Sequence, residues 1–338
     1  VGIVIDIREI IIMPEKQQLP LNILRARGET RVFLEIGFGN GEFLVHLARQ
    51  NPDAVFWGVE MSRSCVLRAL KRIRREELRN IFLLCGDARF ILKECLPKES
   101  LDGIYMNFPC PWPKKKHTKR RVSSGDFPSE IASVLKKGAF FELVTDEEWY
   151  GMEVRNVLAA HPLLELTEWK INPPRPVTTK YERKWMEMGK RIFLSRLQKK
   201  EAESSVGYRC LGRTEDVHIR VPGKGSLKKF VNDIHNMGGE KGDALWVYKR
   251  YYESAEGNAY IIETVAGDGS FEQKFFIQIV EREEDALIKI APYSSPFLTD
   301  SVRGALEGMA HLIETHYLSI ASSCAASLEQ PAGKAFSQ

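Results

Sequence analysis

The stretch "EIGFGNGEF", Glu35–Phe43, places three glycines between an apolar run that starts at Val32 and a helical pattern. Gly37, Gly39 and Gly41 let the backbone turn tightly and come close to a ligand. Their G-x-G-x-G spacing differs from the G-x-G-x-x-G of dinucleotide sites, although glycine spacing alone discriminates weakly. We interpret the stretch as a strand-to-helix turn that holds a ligand other than NAD or FAD. The alternative is an ordinary turn that binds no ligand.

Short β-rich apolar runs alternate with polar or amphipathic segments from Val32 to about Gln198. The runs are "VFLEIGFG", "AVFWGVEM", "IFLLCGD", "LDGIYMNF" and "AFFELVTD". This alternation predicts a parallel sheet with helices on both faces. The later runs "LLELTEW" and "RIFLSRLQ" lie too close together for a helical crossover, so they are predicted to form an antiparallel pair at the sheet edge.

Acidic residues follow consecutive predicted strands. Glu60 lies at the end of the second strand, where a carboxylate can accept the two hydroxyls of a ribose. Asp87 and Ala88 end the third and are placed to meet the edge of an adenine. Glu35 beside the glycines favours a cationic ammonium over a pyrophosphate. Each acid alone could be an ordinary strand end, but together they favour a nucleoside with an amino-acid part, which describes S-adenosylmethionine.

Length and charge suggest two domains of different character. A chain of 338 residues is long enough for two. Residues 1–200 hold 35 Lys and Arg against 25 Asp and Glu, and residues 201–318 hold 13 against 19. The basic first part favours a polyanionic partner.

Cysteine spacing and hydropathy exclude several classes of protein. The six cysteines form no C-x-x-C pair or zinc cluster, so we expect neither a disulfide scaffold nor a metal. The apolar opening is interrupted by charges well short of a membrane span and lacks the features of a signal peptide. We expect no membrane association and a cytoplasmic location.

The stretch "NFPCPWPKKKHTKRR", Asn107–Arg121, joins a stiff apolar loop to six positive charges. Trp112 and His117 flank these charges with rings that can stack on a base or a ribose. The run follows a strand end that would form part of the site, so we predict RNA contact. A merely solvated basic surface is the alternative.

Composition and pattern divide the chain into four parts. We predict an S-adenosylmethionine-binding α/β domain over residues 1–200, a linker over 201–207, an α+β domain over 208–318 and a disordered tail over 319–338. The third part has strand-like runs, two helical patterns and "GDGS" as a hairpin turn.

Six blocks in a fixed order resemble the bacterial tRNA (guanine-N7)-methyltransferases, the TrmB family. The blocks are "EIGFGNG", "GVEMS", "CGDA", "NFPCPWPKKKHTKRR", "LVTDEE" and "RPVTTKYE". The resemblance covers about residues 30–198 and implies a class I S-adenosylmethionine-dependent methyltransferase, with a Rossmann-like, mostly parallel seven-stranded sheet. The implied activity is methyl transfer to N7 of guanine 46 in the variable loop of tRNA. The extension over 208–318 is outside the common family core.

The resemblance also implies roles for individual positions. The expected cofactor-binding residues are Glu35, Gly37, Gly39, Gly41, Glu60, Asp87, Ala88 and the position of Cys110. The expected substrate-binding residues are Lys114, Asp146, Thr179, Lys180, Tyr181 and Glu182, with Lys116, His117, Thr118, Lys119, Arg120 and Arg121 as the RNA-contacting run.

One catalytic position departs from the family. Members usually read Pro-Asp-Pro-Trp, with the aspartate assigned as catalytic, where this chain has Cys110. Guanine N7 has an in-plane lone pair and no proton, so it can attack the sulfonium methyl without a general base. The enzyme must supply position and charge stabilisation. We therefore expect activity despite Cys110, with Asp146 and Glu182 orienting the base by accepting from N1–H and N2–H.

Other functions remain open on the sequence alone. A small-molecule methyltransferase would share the fold, and a non-catalytic RNA-binding module could have kept it after losing the aspartate. An NAD dehydrogenase is the weakest alternative, because no second motif supplies a catalytic His or Lys. For the α+β domain we expect assembly, including a homo-oligomer, or support of the catalytic domain, with contact to the tRNA elbow as the second hypothesis.

Overall fold

The computed structural model describes residues 6–17, 19–23, 31–114, 121, 123–177, 182–183, 187–200, 217–269 and 271–328, with side chains as far as residue 322. The chain forms two compact units, Val1–Cys210 and Leu211–Gln338. The predicted linker, residues 201–207, lies outside the described residues. Its role therefore stays a prediction.

The first unit alternates strands and helices, as the sequence pattern predicts. Its strands are β1 (Ile11–Ile12), β2 (Val32–Ile36), β3 (Val55–Glu60), β4 (Ile81–Cys85), β5 (Leu101–Asn107), β6 (Leu135–Thr145), β7 (Leu164–Ile171) and β8 (Phe193–Lys199). Its helices are α1 (Ile7–Ile10), a 3-10 turn (Pro14–Lys16), α2 (Glu42–Gln50), α3 (Arg63–Arg75), α4 (Ala88–Phe90) with the π-helical turn Ile91–Cys95, α5 (Phe127–Val134) and α6 (Glu148–Ala159).

The strands form one sheet in the order β1-β4-β3-β2-β5-β6-β8-β7. Strands β1 to β6 pair in parallel, and β8 pairs antiparallel with both β6 and β7. The predicted antiparallel pair at the edge is confirmed. The sheet has eight strands among the described residues instead of seven, because the two-residue β1 adds to its edge beside β4. Ile12 on β1 and Ile10 at the end of α1 are both buried.

The strand order reverses between β2 and β5, because β3 and β4 lie on one side of β2 while β5 and β6 follow on the other. In open α/β sheets, ligands bind outside the carboxyl ends of the strands at such a point. The sheet therefore places the glycine turn, defined as residues 37–41, next to the proline loop, defined as residues 108–113.

The second unit is an α+β domain built on an antiparallel sheet, as predicted. Its elements are β9 (His218–Pro222), α7 (Lys228–Asp233), β10 (Gly238–Lys241), β11 (Ala244–Glu253), β12 (Ala259–Asp268), β13 (Phe271–Glu281), β14 (Asp285–Ile290) and α8 (Asp300–Leu328). The sheet order is β10-β11-β12-β13-β14-β9. Asp268 pairs with Phe271, so "GDGS" connects the hairpin β12–β13 as predicted. Helix α8 contributes Val302, Leu306 and Ile313 to the core.

Helix α8 continues to Leu328, through ten residues for which a disordered tail was expected. The prediction is wrong for residues 319–328. This segment contains no glycine or proline, the two poorest helix formers, and it extends a helix that is already formed, so no new nucleus is needed. Residues 329–338 lie outside the described part of the chain.

No helix in the described part of the chain is both long and apolar enough to cross a membrane. Nor do those residues contain a group of three or more His, Cys, Asp or Glu that could hold a metal ion.

Candidate active site

A cavity of about 510 Å³ lies at the carboxyl ends of the strands, where the strand order reverses. It is lined by residues 35, 37–40, 42 and 43, by residues 107–111, and by Asp146, Glu147 and Lys190. The cavity therefore brings together the glycine turn, the proline loop and the end of β6, which are far apart in the sequence.

The three glycines of the turn share a backbone conformation that favours glycine but differ in the space around them. All adopt left-handed backbone conformations, with φ of 71° at Gly37, 54° at Gly39 and 73° at Gly41. A side chain at Gly37 or Gly39 would meet no described atom within 4 Å, whereas a Cβ at Gly41 would lie 2.8 Å from Cβ of Ala69. Gly41 thus lets α2 pack closely on α3, and the first two leave the backbone open towards the cavity.

Glu35 is a buried acid with one unsatisfied oxygen. Its side chain is 2% exposed, and Oε1 accepts a 3.0 Å hydrogen bond from Nδ2 of Asn107. Oε2 is buried without a hydrogen-bond partner among the described atoms. Burial raises the pKa of Glu35 to about 7. A cationic group in the cavity would both satisfy Oε2 and restore the charge.

The proline loop carries Cys110 at the cavity wall. The Cys110 side chain is exposed and lines the cavity. Phe108 and Trp112 on either side have φ of 50° and 45°, left-handed conformations that cost energy for residues other than glycine. Phe108 is held in place by its backbone N–H, which donates to the carbonyl of Val144 at 2.7 Å, and by packing against the core cluster that contains Val144.

Arg121 is a structural residue rather than part of an open basic surface. Its side chain is only 12% exposed and forms a 2.9 Å ion pair with Glu153. The guanidinium also donates twice to the carbonyl of Trp112, at 3.1 and 3.2 Å, and lies over the ring of Trp149. The donors of Arg121 thus hold the proline loop, and its predicted contact with RNA stays a prediction. Lys114 is exposed, and residues 116–120 lie outside the described residues.

Asp146 faces the cavity together with a partner that the sequence did not reveal. Nζ of Lys190 donates to Oδ2 of Asp146 at 2.5 Å and lies 3.5 Å from Oε1 of Glu147. The pair forms because β8 runs antiparallel to β6, with Thr145 opposite Phe193, so the residues before β8 meet the residues after β6. The sequence predicted that β8 pairs antiparallel with β7. It did not indicate how β8 aligns with β6, and this alignment brings Lys190 to Asp146.

Glu182 lies in a buried network and does not line the cavity. Its side chain is 1% exposed and accepts from Nε of Arg175 at 3.3 Å. Arg175 also donates to Glu142 at 3.3 Å and to Oδ1 of Asn107 at 2.5 Å. Glu182 is connected to Glu35 indirectly, through Arg175 and Asn107, and its predicted contact with guanine stays a prediction. Thr179, Lys180 and Tyr181 lie outside the described residues.

Comparison with known proteins places the chain in a family. A family model described as "Putative methyltransferase" matches residues 29–195. A tRNA (guanine-N(7)-)-methyltransferase from Thermotoga maritima is 33% identical over 279 residues, which cover 82% of this chain and 88% of the relative. This chain belongs to the tRNA (guanine-N7)-methyltransferase family. A relative of the same name from Thermus thermophilus is 30% identical over 305 residues, which cover 86% of this chain and 92% of that protein.

The second unit is shared by part of this methyltransferase family. An alignment of 279 or 305 residues is longer than the first unit, Val1–Cys210, so both alignments extend into the second. A third relative of the same name, from Nitrosococcus oceani, is 38% identical over 176 residues, which cover 52% of this chain and 74% of that protein. Similarity to the Thermotoga and Thermus proteins therefore runs beyond the first unit, so the extension is not peculiar to this chain.

The other residues expected to bind the cofactor of this methyltransferase family are Glu60, Asp87 and Ala88. The carboxylates of Glu60 and Asp87 already accept hydrogen bonds from backbone N–H groups. The carboxylate of Glu60 accepts from the backbone N–H groups of Gly39 at 3.0 Å and Ser62 at 2.9 Å. Asp87 caps α4 by accepting from the N–H of Arg89 at 2.8 Å, and Ala88 is the first residue of that helix. None of the three lines the cavity, and their contacts with a cofactor stay a prediction.

Proposed function

We propose that this protein transfers a methyl group from S-adenosylmethionine to N7 of guanine 46 in the variable loop of tRNA. The observation that carries the proposal is the cavity, which is lined both by Glu35, with its unsatisfied oxygen, and by the Asp146–Lys190 pair. The first suits the ammonium of the methyl donor, and the second suits the polar edge of a purine. Family membership supports the tRNA substrate.

The residues present fit the cofactor. Glu35 would accept from its ammonium, and the open glycine turn would allow the backbone to approach its amino-acid part. When bound, S-adenosylmethionine supplies an electrophilic methyl group on a sulfonium. We propose that Glu60, Asp87 and Ala88, at the ends of β3 and β4, contact its ribose and adenine, as expected from their order along the chain.

The protein's own contribution to the reaction is position and charge. The lone pair of N7 forms the new N–C bond while the methyl–sulfur bond breaks and its electron pair stays on sulfur. No proton has to leave N7. The positive charge moves to the purine, so carboxylates beside the base stabilise the transition state. Asp146 accepts from the base and Glu147 adds negative charge at the same wall.

The position of Cys110 carries no charge in its thiol form, in contrast to the aspartate usual in the family. We propose that the enzyme is active nevertheless, because Asp146 and Glu147 lie on the same cavity. Glu182 acts indirectly by holding Arg175, which holds Asn107 against Glu35.

We propose that the substrate tRNA is held through its phosphates by Lys114 and by Lys116, His117, Thr118, Lys119 and Arg120, with Thr179, Lys180 and Tyr181 near the base. Phosphate contacts supply affinity that weakens steeply with salt, and they select no sequence. A cytoplasmic location and the support or assembly role of the second unit belong to the same proposal.

Mapping of the methylated nucleotide tests the function. The full chain is incubated with unmodified tRNA and S-adenosylmethionine carrying a labelled methyl group, and the product is digested and sequenced. We expect 7-methylguanine at position 46. The matched control is the same tRNA with 7-deazaguanine at that position, which lacks the nucleophile and should accept no label. Label at another nucleotide, or in the control, would contradict the proposal.

A further inference from the structure

Lys190 lines the same cavity as Cys110 and Asp146, yet neither sequence motif nor family resemblance points to it. Its Nζ donates to Oδ2 of Asp146 at 2.5 Å. The side chain of Lys190 is 36% exposed and that of Asp146 is 11% exposed. Its hydrogen bond to Asp146 raises the pKa of Lys190, which keeps it a charged donor. The cavity wall therefore presents an acceptor and a donor side by side.

This arrangement matches one edge of guanine and mismatches adenine. Guanine carries the acceptor O6 beside the donors N1–H and N2–H₂, and O6 also neighbours N7 on the adjacent edge. Adenine carries a donor at position 6 and an acceptor at N1. A carboxylate and an ammonium in contact can therefore pair with the guanine edge, whereas adenine would face each with a group of the wrong polarity.

We propose that Lys190 is a specificity-determining residue that donates to O6 of the target guanine while Asp146 accepts from N1–H and N2–H₂. The inference deepens the proposed function and rests on it. Lys190 would also hold N7 at a set distance from the methyl group, because O6 and N7 are rigidly connected. Sites that donate a hydrogen bond to a substrate atom discriminate against analogues that lack a good acceptor there, since that bond is then lost or weakened.

A cycle of protein variants and base analogues tests this role. The unsubstituted chain and Lys190→Met are compared on tRNA with guanine or 6-thioguanine at the target position, since sulfur is a weaker acceptor than O6. Loss of a hydrogen bond to a charged donor lowers kcat/KM on guanine by about 10- to 100-fold. The unsubstituted chain should have a higher kcat/KM on guanine than on 6-thioguanine, and this ratio should be smaller for Lys190→Met. Lys190→Arg should restore part of it.

Arg191→Met is the matched control. Arg191 is the next residue, pairs with Glu148 at 2.7 Å and does not line the cavity, so its loss removes the same charge without removing the proposed contact. We expect this variant to keep the preference for guanine. Binding of S-adenosylmethionine and the melting temperature, measured on every variant, report folding independently.

Two results would overturn the inference alone: unchanged kcat/KM in Lys190→Met, or equal losses on guanine and 6-thioguanine, which would indicate a structural role for the ion pair. A wild-type protein that methylates no guanine N7 would overturn the proposed function and this inference together. The two failures are thus distinguishable.

Discussion

At the scale of single residues, the buried carboxylate of Glu35 suits ligand binding but lowers the stability of the folded protein. Its burial raises its pKa to about 7, so the neutral form is favoured in the protein without a bound cation. The site needs the ionised form for an ammonium. Because the unfolded chain has an ordinary pKa near 4.5, ionisation costs stability as pH rises from about 4.5 to about 7, and the full cost is present above that.

We predict that Glu35→Gln stabilises the free protein at pH 8 by up to about 3 kcal/mol, the equivalent of the pKa shift. The glutamine oxygen can still accept from Asn107, and no charge has to be buried. Urea unfolding of both proteins at pH 8 and at pH 5 measures the effect. The difference should be much smaller at pH 5, where Glu35 stays protonated in the folded protein and only the early part of its titration in the unfolded chain has passed. A difference of the same size at both pH values would contradict the explanation. Binding of S-adenosylmethionine should weaken about tenfold through loss of one charge-assisted hydrogen bond.

Cys110 is the other residue with a separate prediction. We expect Cys110→Asp to raise the methylation rate about tenfold, because a carboxylate at the cavity wall stabilises the charge that moves onto the purine. Single-turnover methylation of tRNA measures it. Cys110→Ser is the matched control, since it is of similar size and uncharged, and it should leave the rate within a few-fold. An unchanged or lower rate in Cys110→Asp would mean that the strained loop has adapted to the thiol.

At the scale of elements, Arg175 joins three parts of the first unit. It comes from the segment after β7 and donates to Glu142 on β6, to Asn107 at the end of β5 and to Glu182. Its side chain and those of Glu142 and Glu182 are each at most 5% exposed. Arg196 on β8 also donates to Glu142. The carboxyl ends of the central strands are thus held together by buried charges.

Arg175→Met should destabilise the first unit by about 1.5–3 kcal/mol, because it removes a charged donor from two buried carboxylates, Glu142 and Glu182. It should also weaken binding of S-adenosylmethionine, since Asn107 loses the donor that holds its Oδ1. Urea unfolding and calorimetric titration measure the two effects. Arg191→Met, which breaks an exposed pair, is the control and should cost less than about 1 kcal/mol. Equal effects of the two substitutions would rule out a structural role for the network.

At the scale of the whole molecule, the two units have separate cores, and β8 marks where the first one ends. Lys199 on β8 is buried, donating to Glu99 at 2.9 Å and to the carbonyl of Leu135 at 2.8 Å. The backbone N–H of Lys200 donates to the carbonyl of Leu163. A truncation that preserves the first unit must therefore come after Lys200 rather than within the last strand.

We predict that the chain truncated after Lys200 folds and binds S-adenosylmethionine, because its sheet is complete, but melts at a lower temperature than the full chain. Circular dichroism measures folding and the melting temperature, calorimetric titration measures cofactor binding, and light scattering measures the mass in solution. A mass for the full chain above 38.6 kDa that falls to one chain on truncation would show assembly through the second unit. An unchanged melting temperature with reduced tRNA affinity would instead favour contact with tRNA.

Much of this architecture was readable in the sequence. The alternation of apolar runs and helical patterns predicted the parallel sheet, the glycine turn and the antiparallel edge, and the strand-end acids predicted a site at one edge of that sheet. These features depend on residues that are neighbours in the chain, where periodicity and turn chemistry act locally. The position of Glu35 at the cavity is the clearest example.

Only the tertiary structure decided which polar groups share the cavity and which are buried beneath it. Arg121 belongs to a basic run but is turned inwards by Glu153 and the carbonyl of Trp112, and Glu182 is withdrawn by Arg175. Lys190 reaches Asp146 across 44 residues of sequence because β8 lies antiparallel beside β6. Side-chain contacts between strands depend on strand register and burial. Both arise from the packing of the whole sheet, so a local sequence pattern does not predict them.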